Sequence, residues 1–332
     1  LDINLLISEA SYFEKYFTYV PTLDTIELDF ITNKVTQKED EKVEKVQKTK
    51  EDEIRDRLRS FTRTIPMFIM ANDSKDEITI DNFDTEIDDQ DFLELTSITK
   101  EEFHKLRDGF DYEEDGERKI FQGVFNKYRF NASIAEFRLK KEQLANYFTA
   151  QEDIFELIPN QKTNQIFTPK KVVQMMINQF EKNHPNLFTR TDSTFIDLYM
   201  KSGMYITEIV KKLFINTRVY YNSDIECLKY ILENQVYGLA PTHILQGITQ
   251  SYIFGFDVEK NISRKNFIQH DIVIEAQDGK ANRKLQDLFK LTNNMKFDAV
   301  VGNPPYQEQK GGTKNIDIWQ NFIFSSVKIA EM

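Results

Sequence analysis

Lys296–Tyr306 reads "KFDAVVGNPPY": a short apolar run, a glycine, and then an amide, two prolines and a phenol in direct succession. Ala299, Val300 and Val301, bounded by Gly302 and the prolines, have the pattern of a short buried strand. Pro304 and Pro305 carry no amide hydrogen and have a fixed φ. They therefore end the strand and hold an extended backbone whose carbonyls no helix can absorb.

Three earlier segments repeat the theme of strand, turn and helix. "STFIDLYM" (193–200) leads into "KSGMYITEIVKKLF" (201–214), "NQVYGLAPTHILQGITQSY" covers 234–252, and "RKNFIQHDIVIEA" covers 264–276. Before them, "IFTPKKVVQMMINQFEK" (166–182) reads as a helix with Thr168 at its start, Pro169 in the first turn, and Val172, Val173, Met176, Ile177 and Phe180 on one face. Short strands alternating with helices predict an α/β fold, a parallel sheet with helices on both faces. In such sheets ligands sit beyond the carboxyl ends of the strands. Each strand here ends in residues suited to a site: Asp197 with Ser202 and Gly203, Gly238 with Thr242, Asp271, and Asn303–Tyr306.

Within that frame the Asn-Pro-Pro-Tyr run has a chemistry of its own. The side-chain oxygen of Asn303 and the carbonyl of Pro304 offer two acceptors side by side, which suits an NH₂ group with two hydrogens to give. Tyr306 offers a flat face on which a planar ring can stack. Drawing both hydrogens of an sp² amine into such bonds makes its nitrogen more tetrahedral and more nucleophilic, as direct attack on an electrophilic methyl requires. The bland reading is a strand-to-loop junction that the prolines merely stop. Asp197, before a Ser-Gly turn and a helix start, suits an ammonium or is a helix cap. Asp271 suits an adenine amino group or is a solvated strand end. Lys201 suits a carboxylate or is simply exposed, while Cys227, His243 and Trp319 read as structural.

The wider chain bounds these readings. Its 332 residues, 40% of them hydrophobic, allow two domains. The lone Cys227 and four scattered histidines give no disulfide and no metal-ligand spacing, so no metal is expected. With no long apolar run and no export signal, a soluble, cytoplasmic protein is expected. Residues 1–150 hold 22 Lys+Arg against 34 Asp+Glu, and the remainder 21 against 20. The first half is thus a poor phosphate binder, whereas the second has room for a local basic groove. The sequence predicts an acidic, mainly helical connector over 1–150, including a charged helix or mobile linker within "KVTQKEDEKVEKVQKTKEDEIRDRLRS" (34–60). The acidic loops "DTEIDDQD" (84–91) and "DYEEDGE" (111–117) separate its later segments, which include the helical stretch "ASIAEFRLKKEQLANYF" (132–148). The apolar "FTRTIPMFIMA" (61–71) is expected to be buried.

The order "IFTPKKVV", "FIDLYMKSG", "IQHDIV", "FDAVVGNPPYQ" resembles the gamma-class N6-adenine DNA methyltransferases, particularly the restriction-modification enzymes that fuse a helicase-like part to a methylase. The resemblance covers residues 155–332. It implies a Rossmann-like methyltransferase sheet, here incomplete, over 151–332, with S-adenosylmethionine as cofactor. It also implies double-stranded DNA as partner, and helicase-like and target-recognition parts in a longer chain of which this is a fragment. By the same resemblance Phe167, Thr168 and Pro169 line the methionine side of the cofactor. Asp197, Lys201, Ser202 and Gly203 match its glycine-rich loop, Asp271 matches the acid near its adenine, and Asn303, Pro304, Pro305 and Tyr306 match the catalytic motif that receives a flipped adenine. Two departures stand out: Lys201 occupies the place of the loop's first glycine, and "YGLAPT" (237–242) has Ala240 in place of the acid expected for the ribose. Two other readings fit the same residues: a protein-glutamine methyltransferase, whose amide suits the same clamp, and a non-catalytic connector with a methylase-like core.

Overall fold

The computed structural model of the protein describes residues 64–71, 78–85, 87–96, 98–114, 116–123, 125–158, 167–257, 261–291, 296–309 and 315–331. The charged segment at 34–60 lies outside them. Two units divide the chain, one of residues 1–66 with 74–139, the other of 67–73 with 140–332.

The described part of the first unit is built on phenylalanine. Phe83, Phe92, Phe103 and Phe130 are buried, and Phe83 meets each of the other three at 6.2–6.3 Å between ring centroids in edge-on geometry, the arrangement the ring quadrupole favours. Helices Asp89–Thr96 and Lys100–Asp108 bring two of these rings inward. The second starts on a capping box, in which the Thr99 hydroxyl accepts from the Glu102 amide and the Glu102 carboxylate from the Thr99 amide. "DYEEDGE" is not a loop: β1 (Phe110–Glu114) and β2 (Glu117–Phe121) pair as an antiparallel hairpin around Gly116. Gly116 has φ +79°, the left-handed turn conformation that glycine adopts freely. The acids lie on an exposed two-stranded ribbon, where alternation with Phe110 and Tyr112 matters more than net charge. Lys127–Leu144 is helical, where "ASIAEFRLKKEQLANYF" (132–148) predicts a helix; the observed one begins five residues earlier and ends four residues earlier.

In the second unit β3 (Phe195–Asp197), β4 (Val236–Ala240), β5 (Phe267–Gln269) and β6 (Ala299–Val301) form one parallel sheet in the order β5-β4-β3-β6. β3 and β4 are buried at every position. That follows from helices covering both faces, and it explains their unbroken apolar sequences. The helices Met204–Thr217 and His243–Ile253 follow β3 and β4. The helices Val273–Gln277, Ala281–Phe289 and Trp319–Ile329 supply Ala276, Leu285 and Phe322 to a core shared with Ile196 and Leu239. Fully burying such a side chain contributes roughly 1.5–3 kcal/mol. Beyond β6, Ala330 pairs in parallel with Phe297, extending the hydrogen-bonding pattern past the fourth strand. A hairpin of β7 (Gln307–Gln309) and β8 (Asn315–Asp317) follows the prolines.

Residues 64–71 are helical, and Ile69 and Met70 are buried as expected. The Ala71 carbonyl lies where a Cβ on Gly247 would stand 2.8 Å from it, so this contact depends on glycine. The helix Lys170–Asn183 departs from expectation at its start. Pro169 is the N-cap, and the Thr168 hydroxyl plays no part in capping. Instead Asp153, brought from outside the helix, accepts from the amide of Lys170 at 3.0 Å. The buried face is also narrower than predicted: Val173 and Ile177 are buried, whereas Val172 and Met176 are exposed. Among the described residues no helix is long and apolar enough to cross a membrane.

Candidate functional site

β4 and β5 are added to one side of β3 and β6 to the other, so strand order reverses between β3 and β6. Asp197 faces Gly238 across one strand pair and Val301 across the other. The carboxyl ends of β3 and β6 therefore open on the crevice where doubly wound sheets hold ligands.

Asp197 and the Asn303 segment meet there through Gly302. This glycine has φ +137°, and a Cβ on it would stand 2.5 Å from Asp197 Oδ1 and 2.9 Å from its Cγ. Only a residue without a side chain lets β6 pass the carboxylate and deliver Asn303 beyond it. Asn303 Nδ2 then donates to Thr168 Oγ1 at 3.1 Å, which fixes the amide plane and leaves the Asn303 oxygen for another donor. No described residue donates to the carbonyl of Pro304. Pro305 is buried and anchors the turn, while Tyr306 is 59% exposed and its ring is open to a partner.

The loop 198–203 holds the other wall. Asp197 is 3% exposed, and burial pushes its carboxyl up to about 7, against the pull of the Tyr199 amide and the charge of Lys201. The Tyr199 amide donates to Asp197 Oδ1 at 2.9 Å. Lys201 is not the exposed lysine of its bland reading: it is 7% exposed, with Nζ 5.9 Å from the Tyr199 ring centroid. Burial pushes its ammonium down in pKa, and Asp197 pulls it back up. Ser202 Oγ accepts from the Met204 amide at 3.3 Å. Gly203, at φ +78°, caps the helix Met204–Thr217 in the left-handed conformation. The turn thus keeps its Ser-Gly half and fills its first half with a buried cation.

The structure also adds Tyr205, which no local motif marks. Its hydroxyl donates to Met176 Sδ at 3.4 Å; burial pushes the phenol up in pKa, and the nearby Thr168 side chain opposes this. Its place, two residues after Gly203 in the first turn of a helix, was the only available signal. Phe167, next to Thr168 in the chain, packs against Phe155 at 4.9 Å between ring centroids with the rings tilted by 42°.

Other expected members lie elsewhere. Gly238 is closed by Met200, whose Sδ would stand 2.1 Å from a Cβ there. Thr242 caps the helix His243–Ile253 by accepting from Leu245. Asp271 is exposed at the end of β5, with β4 between it and β3, and its Oδ1 accepts from the Val273 amide at 3.1 Å. One crevice therefore joins Thr168, Asp197, Gly302 and Asn303 but not all four strand ends.

Asp197 carries a pH signature. A carboxyl raised in the folded state binds its proton more tightly folded than unfolded, so its contribution to stability is complete below pH 4 and is lost as pH rises towards 7. The rise is worth on the order of 4 kcal/mol. Asp197→Asn, which keeps the acceptor for Tyr199, is expected to flatten stability between pH 5 and pH 8. Urea unfolding at both pH values measures this, and equal slopes in the two proteins would contradict the assignment.

Residues 234–331 match the family model described as the Eco57I restriction-modification methylase. The likeness to restriction-modification methylases read from the sequence is borne out over that segment, which contains β4, β5, β6 and Asn303–Tyr306. Among solved structures, the DNA-bound ATP-dependent Type ISP restriction-modification enzyme LlaBIII aligns at TM-score 0.43 and 12% identity, covering 91% of this chain. The chain spans 23% of that enzyme's length. A protein described as a modification subunit of a type I restriction enzyme, from Vibrio vulnificus YJ016, aligns at TM-score 0.34 and 10% identity, over 86% of this chain and 69% of its own. Comparison with curated proteins gave no match.

Proposed function

We propose that this chain is the catalytic part of a DNA methyltransferase of a restriction-modification enzyme, which methylates the exocyclic N6 of a flipped adenine using S-adenosylmethionine. One observation carries the reading. Asn303 is fixed through its nitrogen on Thr168 beside Asp197, and among the described residues no donor meets its oxygen or the Pro304 carbonyl. Residues 1–150 serve as connector and 151–332 as methyltransferase core. Helicase-like and target-recognition parts, and a cytoplasmic setting, belong to the same reading.

The residues present suit the amino-acid end of the cofactor. Asp197 offers a carboxylate for an ammonium, Lys201 an ammonium for a carboxylate, and the turn at Ser202–Gly203 leads into a helix start. Thr168 and Phe167 wall the same end. Asp271 is the candidate for the adenine amino group, and Ala240 leaves the ribose without an acid. When bound, the cofactor supplies a methyl group activated by a positively charged sulfur.

The chain's own part is to prepare the acceptor. Asn303 Oδ1 and the Pro304 carbonyl accept the two amine hydrogens, shifting electron density onto the nitrogen and aiming its lone pair. Tyr306 stacks on the extruded base and offsets part of the unstacking cost of a few kcal/mol. Pro304 and Pro305 keep the clamp rigid, so little reorganisation accompanies reaction.

Methyl transfer by the intact polypeptide decides the matter. Radiolabelled methyl should pass to duplex DNA carrying unmodified adenine, and not to the same duplex N6-methylated throughout or to a glutamine-containing peptide. Label on the peptide would place the chain among protein-glutamine methyltransferases, and no transfer to either would leave a non-catalytic scaffold.

A further inference from the structure

The helix Lys170–Asn183 begins one residue after Pro169, so its amino end lies beside Thr168 and the Asn303 clamp. It packs against the helix Met204–Thr217. Together these two helices hold five lysines and two glutamates, in a chain whose net charge is −11. Three of the lysines are engaged. Lys170 donates to the carbonyls of Ala150 and Glu152, Lys211 pairs with Glu208, and Lys212 with Glu181. Lys171 and Lys182 are exposed, and neither is ion-paired to a described residue.

These two lie on one face. Eleven residues make just over three turns, so Lys171 and Lys182 project nearly the same way about 16 Å apart along the axis. Between them lies an open face of the same helix, formed by Lys171, Gln174, Met175, Asn178, Gln179 and Lys182, without an acid. An acid-free strip with a cation at each end and three amide side chains between them, leading away from the clamp, complements a polyanion. On duplex DNA one phosphate charge recurs every ~1.7 Å of axis, so several fall within its length.

Resting on the reading of DNA as substrate, we propose that this face of Lys170–Asn183 carries the DNA backbone beside the flipped base, with Lys171 and Lys182 each neutralising a phosphate. The near-neutral second half of the chain would then contain the local basic groove that its overall acidity hides.

Counterion release gives the test. Duplex binding by the intact polypeptide is measured by fluorescence anisotropy across a KCl series, for the unsubstituted protein, for Lys171→Gln/Lys182→Gln, and for Lys280→Gln as a control whose ammonium pairs with Asp278. The double variant should lower the slope of log Kobs against log[KCl] by about 1.8, about 0.9 per phosphate released, and weaken binding at least tenfold at low salt. The control should keep the slope. If the double variant keeps the slope while the unsubstituted protein binds and methylates DNA, the contact face is wrong and the methyltransferase reading stands. If that unchanged slope comes with a lowered thermal midpoint, an acidic segment of this chain covers the face instead, and the proposal fails. If the unsubstituted protein neither binds nor methylates DNA, the reading beneath the proposal fails with it.

Discussion

Replacing Asn303 by alanine is expected to lower kcat for methyl transfer to DNA by about 10²–10³-fold, the usual effect of removing one preorganised hydrogen-bonding group from a reacting centre. The side chain is held by a single bond, from Nδ2 to Thr168 Oγ1 at 3.1 Å, so its loss leaves the sheet and the Asp197 loop in place. Cofactor affinity measured by calorimetry should therefore change less than threefold. This split separates the clamp from a structural role, because a strand-to-loop junction weakened at Asn303 would lose stability and affinity along with rate. Asn303→Asp is a useful companion. It keeps an acceptor but cannot donate to Thr168 when ionised, so it should recover some rate only if orientation is the lesser part of the effect. Undiminished methylation by Asn303→Ala would end the assignment of the clamp.

Gly302→Ala should be the most damaging single methyl in the second unit. The left-handed φ of +137° strains any other residue, and the new Cβ would stand 2.5 Å from Asp197 Oδ1. The carboxylate cannot simply swing aside, because the Tyr199 amide holds it at 2.9 Å. Backbone strain and overpacking together are expected to cost on the order of 2–4 kcal/mol. Methyl transfer should fall below detection, since Asp197 and Asn303 are displaced together. Gly116→Ala is the fitting comparison: its φ is +79°, yet nothing lies within 4 Å of the added Cβ. It should show the cost of conformation alone, about 1 kcal/mol. Urea unfolding and methyl transfer on both variants distinguish the two costs, and equal effects would show that the contact with Asp197 is immaterial.

Much of this was legible along the chain. Strand-length apolar runs followed by turn residues and helical periodicity are local patterns, and they announce β3, β4, β5 and β6 because a parallel sheet covered on both faces demands unbroken apolar strands. The chemistry of Asn303–Tyr306 was equally local, since two prolines fix their own backbone. Reading failed where partners come from afar. "DYEEDGE" (111–117) reads as a loop because its acids mask an alternation that only the pairing with β2 makes useful. Thr168 reads as a helix start, a place that Asp153 serves instead. Lys201, ambiguous as a letter, is enclosed by neighbours that periodicity does not name.

The sequence by itself determined the order of strands and helices, the rigid turn after β6 and the residue types at each strand end, because these depend on φ, side-chain period and neighbours within a few positions. Tertiary structure alone decided which strand ends meet. The reversal of strand order between β3 and β6 brings Asp197, Gly302, Asn303 and Thr168 together and leaves Asp271 with β4 between it and β3. Such proximity follows from how the sheet closes its hydrogen bonds and buries its two faces, and no local stretch of chain carries that information.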